Sequence, residues 1–267
     1  MSKIIDCITF YDENLLTNAR FEILNNVVDK FIVCESMYDH SGNTKQINFK
    51  LTNKDFLSKV DHIVIKENFP KPIKPWENER IQREYIVNYL DTYDQDDYLM
   101  YSDSDEIPNP DLLKDLDLKK KFAIFLQKNF VYKLNIFNRH ETPWEGTRIC
   151  KKKYFKSIFH LRKKILSKNL NKPFWKFYIE KDIDLIDNGG WHFNNLYNLN
   201  TISQKLKVFP HKEFSGSKYS DIENIKKKIK NLEDLFGRGH KYEKVKLDKN
   251  YPKYILDNLD LFKDYIS

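Results

Sequence analysis

The first 110 residues alternate short apolar strands with helices, and this alternation limits the fold more than any other feature. Such a pattern is typical of a doubly wound, mostly parallel sheet that carries helices on both faces. Strands are predicted at residues 4–10, 30–35, 61–66 and 98–102, and helices at 14–26, 53–59 and 77–92. Asn53 stands where its side chain can cap the second of these helices.

Beyond residue 110 the pattern changes to aromatic strands, predicted at 122–130 and 131–137, which we expect to be antiparallel and to extend the sheet. Helices are predicted at 220–236 and 252–265, so the C-terminal portion is expected to be helical. No linker rich in Gly, Ser or Pro divides the chain. We therefore predict a single α/β domain over residues 1–267.

Composition narrows the class of protein. The net charge is +7, and basic runs such as 151–153 and 226–228 are more often solvated faces than nucleic-acid sites, so no nucleic-acid partner is expected. The three cysteines, Cys7, Cys34 and Cys150, lack C-x-x-C spacing, which indicates a reducing compartment. Asp6 interrupts the apolar run that a signal peptide needs, and no window reaches the length of a membrane span. A soluble, cytoplasmic protein is expected.

The apolar strand at 98–102 leads directly into three carboxylates and then Pro108. If the strand continued, Asp103 and Asp105 would share one face while Glu106 faced the other. Two carboxylates so close repel each other unless a cation lies between them, and hard oxygen ligands suit Mg²⁺ or Mn²⁺. An arbitrary D-x-D triplet is more often a solvated turn, but the apolar strand before it favours a metal site.

Polar residues also follow the first two strands, at 11–13 and at 35–36. In open sheets of this kind ligands bind outside the carboxyl ends of the strands. Three strands therefore direct polar side chains to one edge of the predicted sheet.

A second motif is the run from Gly189 to His192 with Trp191 inside it. Paired glycines allow the backbone to approach a neighbour closely, which is typical of a loop built around a ligand. A lone histidine is more often structural than a ligand, but a neutral imidazole at His192 would complete the Asp103 and Asp105 site as a third protein ligand.

Taken in order, these segments resemble glycosyltransferase family 17 over most of the chain. The resemblance is carried by residues 6–14 with Arg20, 28–36, 40–42 with Lys45, 76–80 with Gln82 and Arg83, 103–108, 189–192, 205–206, 209–214 and 236–238. It implies a GT-A type fold with a single Rossmann-like sheet. It also implies inverting, metal-dependent transfer, usually with Mn²⁺, from a nucleotide-sugar donor, for which UDP-GlcNAc is the family expectation.

The resemblance implies a division of labour, with residues 1–110 binding the nucleotide-sugar and residues 111–267 forming the acceptor side. The acceptor is expected to be a glycan, a lipid-linked sugar or a glycoprotein. Vertebrate members carry an N-terminal anchor and stem that this sequence lacks, so an N-glycan acceptor does not carry over. The basic surface leaves a peripheral membrane contact open.

Roles can be assigned to the residues at the edge of the sheet. A metal on Asp103 and Asp105 would bridge the diphosphate of the donor. Arg83 is placed to reach phosphate, with a surface ion pair to Glu79 or Glu84 as an equal alternative. The expected contacts to the donor come from Phe10, Glu13, Glu35, Arg83, Ser102 and Asp103.

Inversion in a single displacement needs a general base for the acceptor hydroxyl. Glu106 is slightly favoured, because the D-x-D-E-I-P run is the firmest part of the match, and the rivals are Asp187, Glu145 and Glu213. His211 competes with His192 as the third metal ligand.

Two other functions compete with glycosyl transfer. Paired aspartates at a strand end also suit a metal-dependent phosphohydrolase, although the first strand lacks the D-x-D-x-T/V run of the aspartyl-phosphate type. A non-catalytic module that binds cations or carbohydrate is the third candidate. An EF-hand is excluded, because Pro108 and Lys114 stand where its loop requires Gly and Glu.

Overall fold

The computed structural model describes residues 2–208 and 217–267. Their contacts form two compact units, each made of two separate segments. Unit 1 is Met1–Gln127 with Glu145–Gly190, and unit 2 is Lys128–Trp144 with Trp191–Ser267. Unit 1 includes residues on both sides of position 110, so these units differ from the expected functional halves. The division of labour between 1–110 and 111–267 stays a prediction.

The strands reproduce the predicted alternation. They are β1 (Ile4–Phe10), β2 (Lys30–Ser36), β3 (Val60–Ile65), β4 (Tyr98–Asp103), β5 (Glu106–Pro108), β6 (Phe122–Val131), β7 (Ile136–Phe137), β8 (Trp144–Lys151), β9 (Ile183–Ile186), β10 (Gly190–Asn194) and β11 (Glu243–Lys244). In unit 1, β3, β2, β1 and β4 are parallel neighbours in that order, and β8 joins β4 antiparallel. The predicted mixed α/β fold with a mostly parallel sheet is confirmed.

The helices of unit 1 are α1 (Asn14–Leu24), α2 (Pro75–Tyr85) and α3 (Ile158–Lys163), and those of unit 2 are α4 (Leu199–Val208), α5 (Ser217–Ser220), α6 (Ile222–Lys230) and α7 (Lys253–Asp257). The helix expected at 53–59 is only a 3-10 turn, Lys54–Phe56, although Asn53 caps it as predicted, with its side chain accepting from Asp55 N at 3.0 Å. Among the described residues, no helix is long and apolar enough to cross a bilayer.

Two hydrophobic clusters cover the two faces of the parallel strands. Along β1, Ile4, Ile8 and Phe10 pack into the cluster that contains residues of α1, whereas Ile5 and Cys7 pack into the cluster that contains residues of α3. Because alternate residues of a strand face opposite sides, helices cover both faces of the sheet, as predicted. The three cysteines are free thiols, and all three are buried inside unit 1.

The predicted strand at 131–137 is wrong for most of its length, since only Ile136–Phe137 pairs, antiparallel to β6. Tyr132 has a φ of 64°, a left-handed conformation that ends the extended backbone. Its ring fills a cluster of unit 2 with residues of α4 and α6, so tertiary packing overrides the strand propensity of this aromatic segment. The helical C-terminal portion is confirmed, with α7 followed by a 3-10 helix at Leu259–Tyr265.

The paired glycines allow the close backbone approach that their sequence predicts. A side chain at Gly189 would place its Cβ 2.6 Å from Leu126 N, and one at Gly190 would place it 2.2 Å from Ile107 O. Gly190 also has a φ of 124°, which few other residues adopt. The turn between β9 and β10 therefore requires glycine at both positions.

Gly190→Ala is expected to destabilise unit 1 by more than the strain of a positive φ alone, which is about 1–3 kcal/mol. The matched control is Gly237→Ala, because Gly237 also has a positive φ, of 75°, but a Cβ there meets no atom within 4 Å. Urea unfolding of both variants separates the backbone strain from the steric clash. Equal losses in the two variants would contradict the close approach at Gly190.

Candidate active site

Asp103 is the last residue of β4 and lies opposite Thr9 of β1. From β1 the chain continues to β2 and β3 on one side, and it returns to the other side of β1 as β4. This reversal makes the space between the carboxyl ends of β1 and β4 the topological switch point of the sheet. Ligands of open α/β sheets bind at such a point.

Two arginines from different helices hold the Asp103 carboxylate. Oδ1 accepts from Arg83 Nη2 at 3.0 Å and from the Tyr101 hydroxyl at 3.3 Å, and Oδ2 accepts from Arg162 Nη2 at 2.6 Å. Burial by itself would lower the pKa of Arg83 and Arg162, but the charge of Asp103, together with Glu79 beside Arg83 and Glu106 beside Arg162, outweighs it and raises both pKa values. Both guanidinium groups therefore stay charged beside an aspartate that is 30% exposed.

Arg83 makes both of the contacts that the sequence left open. It pairs with Glu79 at 3.1 Å as well as with Asp103. The pair with Glu79 is not a surface pair, since the Arg83 side chain is only 11% exposed.

Glu106 has a different environment from the one expected of a general base. Its side chain is fully buried, and its two oxygens accept from Arg162 Nη1 and Nη2, both at 2.9 Å. One of them also accepts from Asp103 N at 3.1 Å. A buried carboxylate in a bidentate ion pair is poorly placed to meet an acceptor hydroxyl, and the role of Glu106 as the base stays a prediction. Glu106 positions Arg162 and the end of β4.

Strand alternation does not place Asp105 on the same face as Asp103, contrary to the prediction. Ser104 and Asp105 form a turn between β4 and β5, so the strand alternation ends at Asp103. The extended backbone of β4 is thus interrupted at Ser104, well before Pro108. Asp105 is partly exposed in this turn.

The opposite face of β4 is held by Arg20, a residue for which the sequence predicted no role. Arg20 is fully buried and donates to both oxygens of Asp6, at 2.6 and 2.7 Å, to Ser102 Oγ at 2.8 Å and to the carbonyl of Glu106. Ser102 also bonds Thr147 Oγ1 at 2.7 Å and has no exposed surface, so it supports β4, and its expected contact with the donor stays a prediction. An acid at position 6 inside an apolar strand was the available signal.

Arg162 was missed because it stands in a lysine-rich run that reads as a solvated face. Its neighbour Arg148 is buried too and donates to the carbonyls of Ile165, Glu145 and Gly146. Burial, assisted by the charge of Arg162, lowers the pKa of Arg148 to about 10. Neither arginine could be distinguished from a surface cation in the sequence.

The residues expected to contact the nucleoside are largely occupied within unit 1. The buried Glu35 carboxylate accepts from Lys45 Nζ at 2.6 Å and from Asn48 N at 2.7 Å, and it also contacts His62 at 3.1 Å. Burial would raise the pKa of Glu35, but these hydrogen bonds outweigh it and lower that pKa. Glu35 thus fixes the loop after β2.

Two more of the expected donor contacts, Phe10 and Glu13, lie at the end of β1 and just after it. Glu13 accepts from Tyr11 N at 2.9 Å and from Asp12 N at 3.0 Å, which shapes the turn before α1. The Phe10 side chain is 1% exposed and packs on Phe49. The side chain thus belongs to the core, and the expected contact of Phe10 with the donor stays a prediction.

The remaining candidates lie in different places. Asp187 is exposed in the turn before Gly189, and this turn is joined to the end of β5, since Asn109 N donates to Gly189 O at 3.0 Å. Glu145 accepts from Ser167 N at 3.2 Å. His192 is 5% exposed in unit 2, where its ring stacks on Trp144 with centroids 4.6 Å apart. His211 and Glu213 lie outside the described residues.

A cleft of about 140 Å³ lies between α2 and α3, next to Asp103. Arg83 and Arg162, the two arginines that bind the Asp103 carboxylate, line this cleft. The full lining is Trp76, Glu79, Arg80, Arg83, Phe159, Arg162 and Lys163. The lining has four cations and one acid, and Asp103 and Glu106 pair with two of those cations. The remaining positive charge favours an anionic ligand, and the two aromatic rings favour a ligand with a flat or apolar part.

The donor set at the end of β4 fits a hard divalent cation. Carboxylate oxygens suit Mg²⁺ and Mn²⁺, and Mg²⁺ is commonly bound through one or two carboxylates together with substrate phosphates and water. Asp103 and Asp105 are both partly exposed and supply such a pair. Across residues 2–208 and 217–267, no three His, Cys, Asp or Glu side chains form a group that could hold a metal. The assignment of His192 as a third ligand stays a prediction.

The family model of glycosyltransferase family 17 matches residues 1–245. The chain belongs to glycosyltransferase family 17. This membership confirms the resemblance seen in the sequence and supports a transferase that moves glycosyl groups. No protein of curated function matches the chain.

Three solved structures that match part of this family 17 chain share little sequence with it. The glycosyltransferase GlyE of Streptococcus pneumoniae TIGR4 is 14% identical with a TM-score of 0.34, and the match covers 70% of this chain and 45% of GlyE. A glycosyltransferase involved in glycosylation of the major capsid of PBCV-1 is 9% identical with a TM-score of 0.28, covering 69% and 81%.

The inositol-1-phosphate CTP transferase from T. maritima is 12% identical with a TM-score of 0.32, covering 70% of this chain and 86% of that one. For GlyE, the matched region is less than half of that protein's length. At these TM-scores none of the three structures bears on the site.

Proposed function

We propose that this family 17 chain is a metal-dependent, inverting glycosyltransferase that moves N-acetylglucosamine from UDP-GlcNAc to a hydroxyl group of a glycan, lipid-linked sugar or glycoprotein. The observation that carries the proposal is the position of Asp103, at the switch point of the sheet and beside a cationic cleft. A nucleotide diphosphate needs cations around its phosphates, and the cleft supplies them next to a carboxylate that can share a metal.

In this proposal Asp103 and Asp105 hold Mn²⁺ or Mg²⁺. The bound ion would act as a Lewis acid for the departing nucleotide diphosphate. Asp103 keeps its two arginine partners within hydrogen-bond distance, so its carboxylate is oriented before any ligand arrives. His192 is retained only as a candidate third ligand.

Arg83 and Arg162 would contact the diphosphate. Their planar guanidinium groups present paired donors that match phosphate oxygens. Both are largely buried, at 11% and 10% exposed, so they interact with a ligand through less solvent than a surface lysine would. Arg80 and Lys163 add two more positive charges at the wall of the cleft.

For the general base we propose Asp187. Of the two carboxylates first considered for this role, Asp187 is exposed, whereas Glu106 is buried under Arg162. The Asp187 turn is tied to the end of β5 by the bond from Asn109 to Gly189, which holds it near the segment that follows the acidic turn. An exposed carboxylate can approach the acceptor hydroxyl, and this is the first requirement of a base.

The test is metal-dependent thermal stabilisation. A ligand that binds only the folded chain stabilises it by about 2.7 kcal/mol at a concentration of 100 Kd. We therefore expect UDP-GlcNAc with Mn²⁺ to raise the melting temperature by several degrees, and Asp105→Asn to abolish that rise. The matched control is Asp115→Asn, an identical change at an exposed position outside the site, which should leave the rise intact.

A panel of UDP-, GDP- and CMP-sugars identifies the donor, and product analysis identifies the reaction. Transfer or slow hydrolysis at the anomeric carbon supports the proposal. Cleavage within the diphosphate would instead establish the metal-dependent phosphohydrolase. If no nucleotide-sugar stabilises the chain in the presence of a divalent cation, the proposal is wrong.

A further inference from the structure

A loop between α3 and β9 exposes four aromatic side chains within five residues. The exposed fractions are 77% for Phe174, 61% for Trp175, 85% for Phe177 and 82% for Tyr178. Soluble proteins rarely expose so many large apolar groups in one place without a binding role. The proposed transfer reaction makes no use of these rings.

The loop is a built structure whose backbone is held from inside. Asn169 is buried and closes the base of the loop, because its Nδ2 donates to Lys164 O at 2.6 Å and to Glu180 O at 3.0 Å. The Lys181 ammonium donates to Pro173 O at 2.9 Å and to Lys176 O at 3.3 Å. These bonds occupy the carbonyls of the loop while its aromatic side chains remain exposed.

The loop ends a segment of strong positive charge. Residues 151–179 contain nine lysines and one arginine and no Asp or Glu, so this segment alone exceeds the net charge of +7 of the whole chain. Lys163, Lys164, Lys168 and Lys172 are all exposed on the approach to the aromatic residues. The approach to the aromatic residues therefore combines their rings with exposed lysines, and Glu180 is the one acid within residues 169–181.

We propose that this aromatic loop, residues 169–181, docks the protein on an anionic membrane surface. Tyr and Trp side chains favour the level of the lipid headgroups because each has an apolar ring and a polar group. Lysines nearby are attracted to anionic lipids through the surface potential of the membrane. A neutral glycan could stack on the rings but would gain nothing from the lysines, so charge favours the membrane.

This inference does not depend on the proposed transfer reaction, because it rests on the loop and its charge alone. It gives a location to the peripheral membrane contact that the sequence left open. It also predicts how unit 1 is oriented on the membrane. The loop follows α3, the helix that carries Arg162, so the side of unit 1 with this loop would face the lipid.

The experiment is sedimentation of the full chain with vesicles of phosphatidylglycerol and phosphatidylcholine in equal parts, compared with pure phosphatidylcholine. We expect binding to the anionic vesicles that weakens with salt, and binding about tenfold or more weaker for the double variant Trp175→Ser/Phe177→Ser. Lys168→Glu/Lys172→Glu should weaken it similarly. The control is Leu57→Ser/Leu261→Ser, which removes two exposed leucines elsewhere, 63% and 53% exposed, and should bind as the wild type does.

Trp175 provides a second measurement. Its fluorescence should shift to shorter wavelength with anionic vesicles, and Trp175→Phe should lose that shift while still sedimenting with them. The proposal is overturned if the loop variants bind anionic vesicles as tightly as the wild type. It is equally overturned if the wild type does not bind them, including the case in which the same rings bind a soluble glycan or protein instead.

Discussion

Arg20→Met is expected to lower the free energy of unfolding by about 3–5 kcal/mol, because it leaves a buried carboxylate without its partner. Asp6 is 1% exposed, and Arg20 occupies both of its oxygens. The substitution also removes the donors to Ser102 and to the carbonyl of Glu106. Chemical denaturation at neutral pH measures the loss.

The matched control for Arg20 is Arg139→Met. Arg139 also makes two bonds to one carboxylate, that of Glu243, but this arginine is 72% exposed. Exposed ion pairs add little to stability, so the control should unfold almost as the wild type does. The double variant Asp6→Leu/Arg20→Met removes both charges and should recover part of the loss. If Arg20→Met is as mild as Arg139→Met, the buried pair does not stabilise the fold.

The second large effect is expected at Arg162. Arg162→Met should reduce turnover of the nucleotide-sugar about a hundredfold or more, because a preorganised cation beside Asp103 is lost. It should also destabilise the fold by about 3–5 kcal/mol, because Glu106 is then buried without its ion pair. Turnover in the presence of Mn²⁺ and urea unfolding measure the two effects separately.

Lys163→Met is the matched control for Arg162. Lys163 is the next residue and lines the same cleft, but its side chain is exposed. The cations that pair with Asp103 are Arg83 and Arg162. It should lose far less activity. In the double variant Arg162→Met/Glu106→Gln the stability should largely return while the activity does not. Recovery of activity in that variant would contradict a direct role for Arg162.

The strands and the edge of the sheet at which the site lies could be predicted because they depend on local patterns. Apolar runs of the right length identify β1 to β4, and the carboxyl ends of parallel strands meet at one edge. The close backbone approach at Gly189 and Gly190 could be predicted for the same reason, since it is set by the adjacent backbone. Backbone patterns of this kind are legible in a single sequence.

The charge pairing of the site could not be predicted because it depends on contacts between distant segments. Arg162 lies 56 positions from Glu106, and nothing local separates it from the lysines around it. Glu106 was chosen as the base from its place in a motif, whereas its burial under Arg162 is a property of the folded chain. The turn at Ser104 and Asp105 did have a signal, since Ser and Asp are common turn residues, but the strand alternation was continued through it.

The buried cysteines make the opening of unit 1 measurable through the rate at which their thiols react. Burial raises the pKa of Cys150 to about 12 and raises those of Cys7 and Cys34 as well, so the reactive thiolate is scarce in the native state. All three lie in unit 1, and the chain contains only these three. The rate at which the cysteines are alkylated therefore reports the opening of unit 1 alone. No engineered label is needed for this measurement.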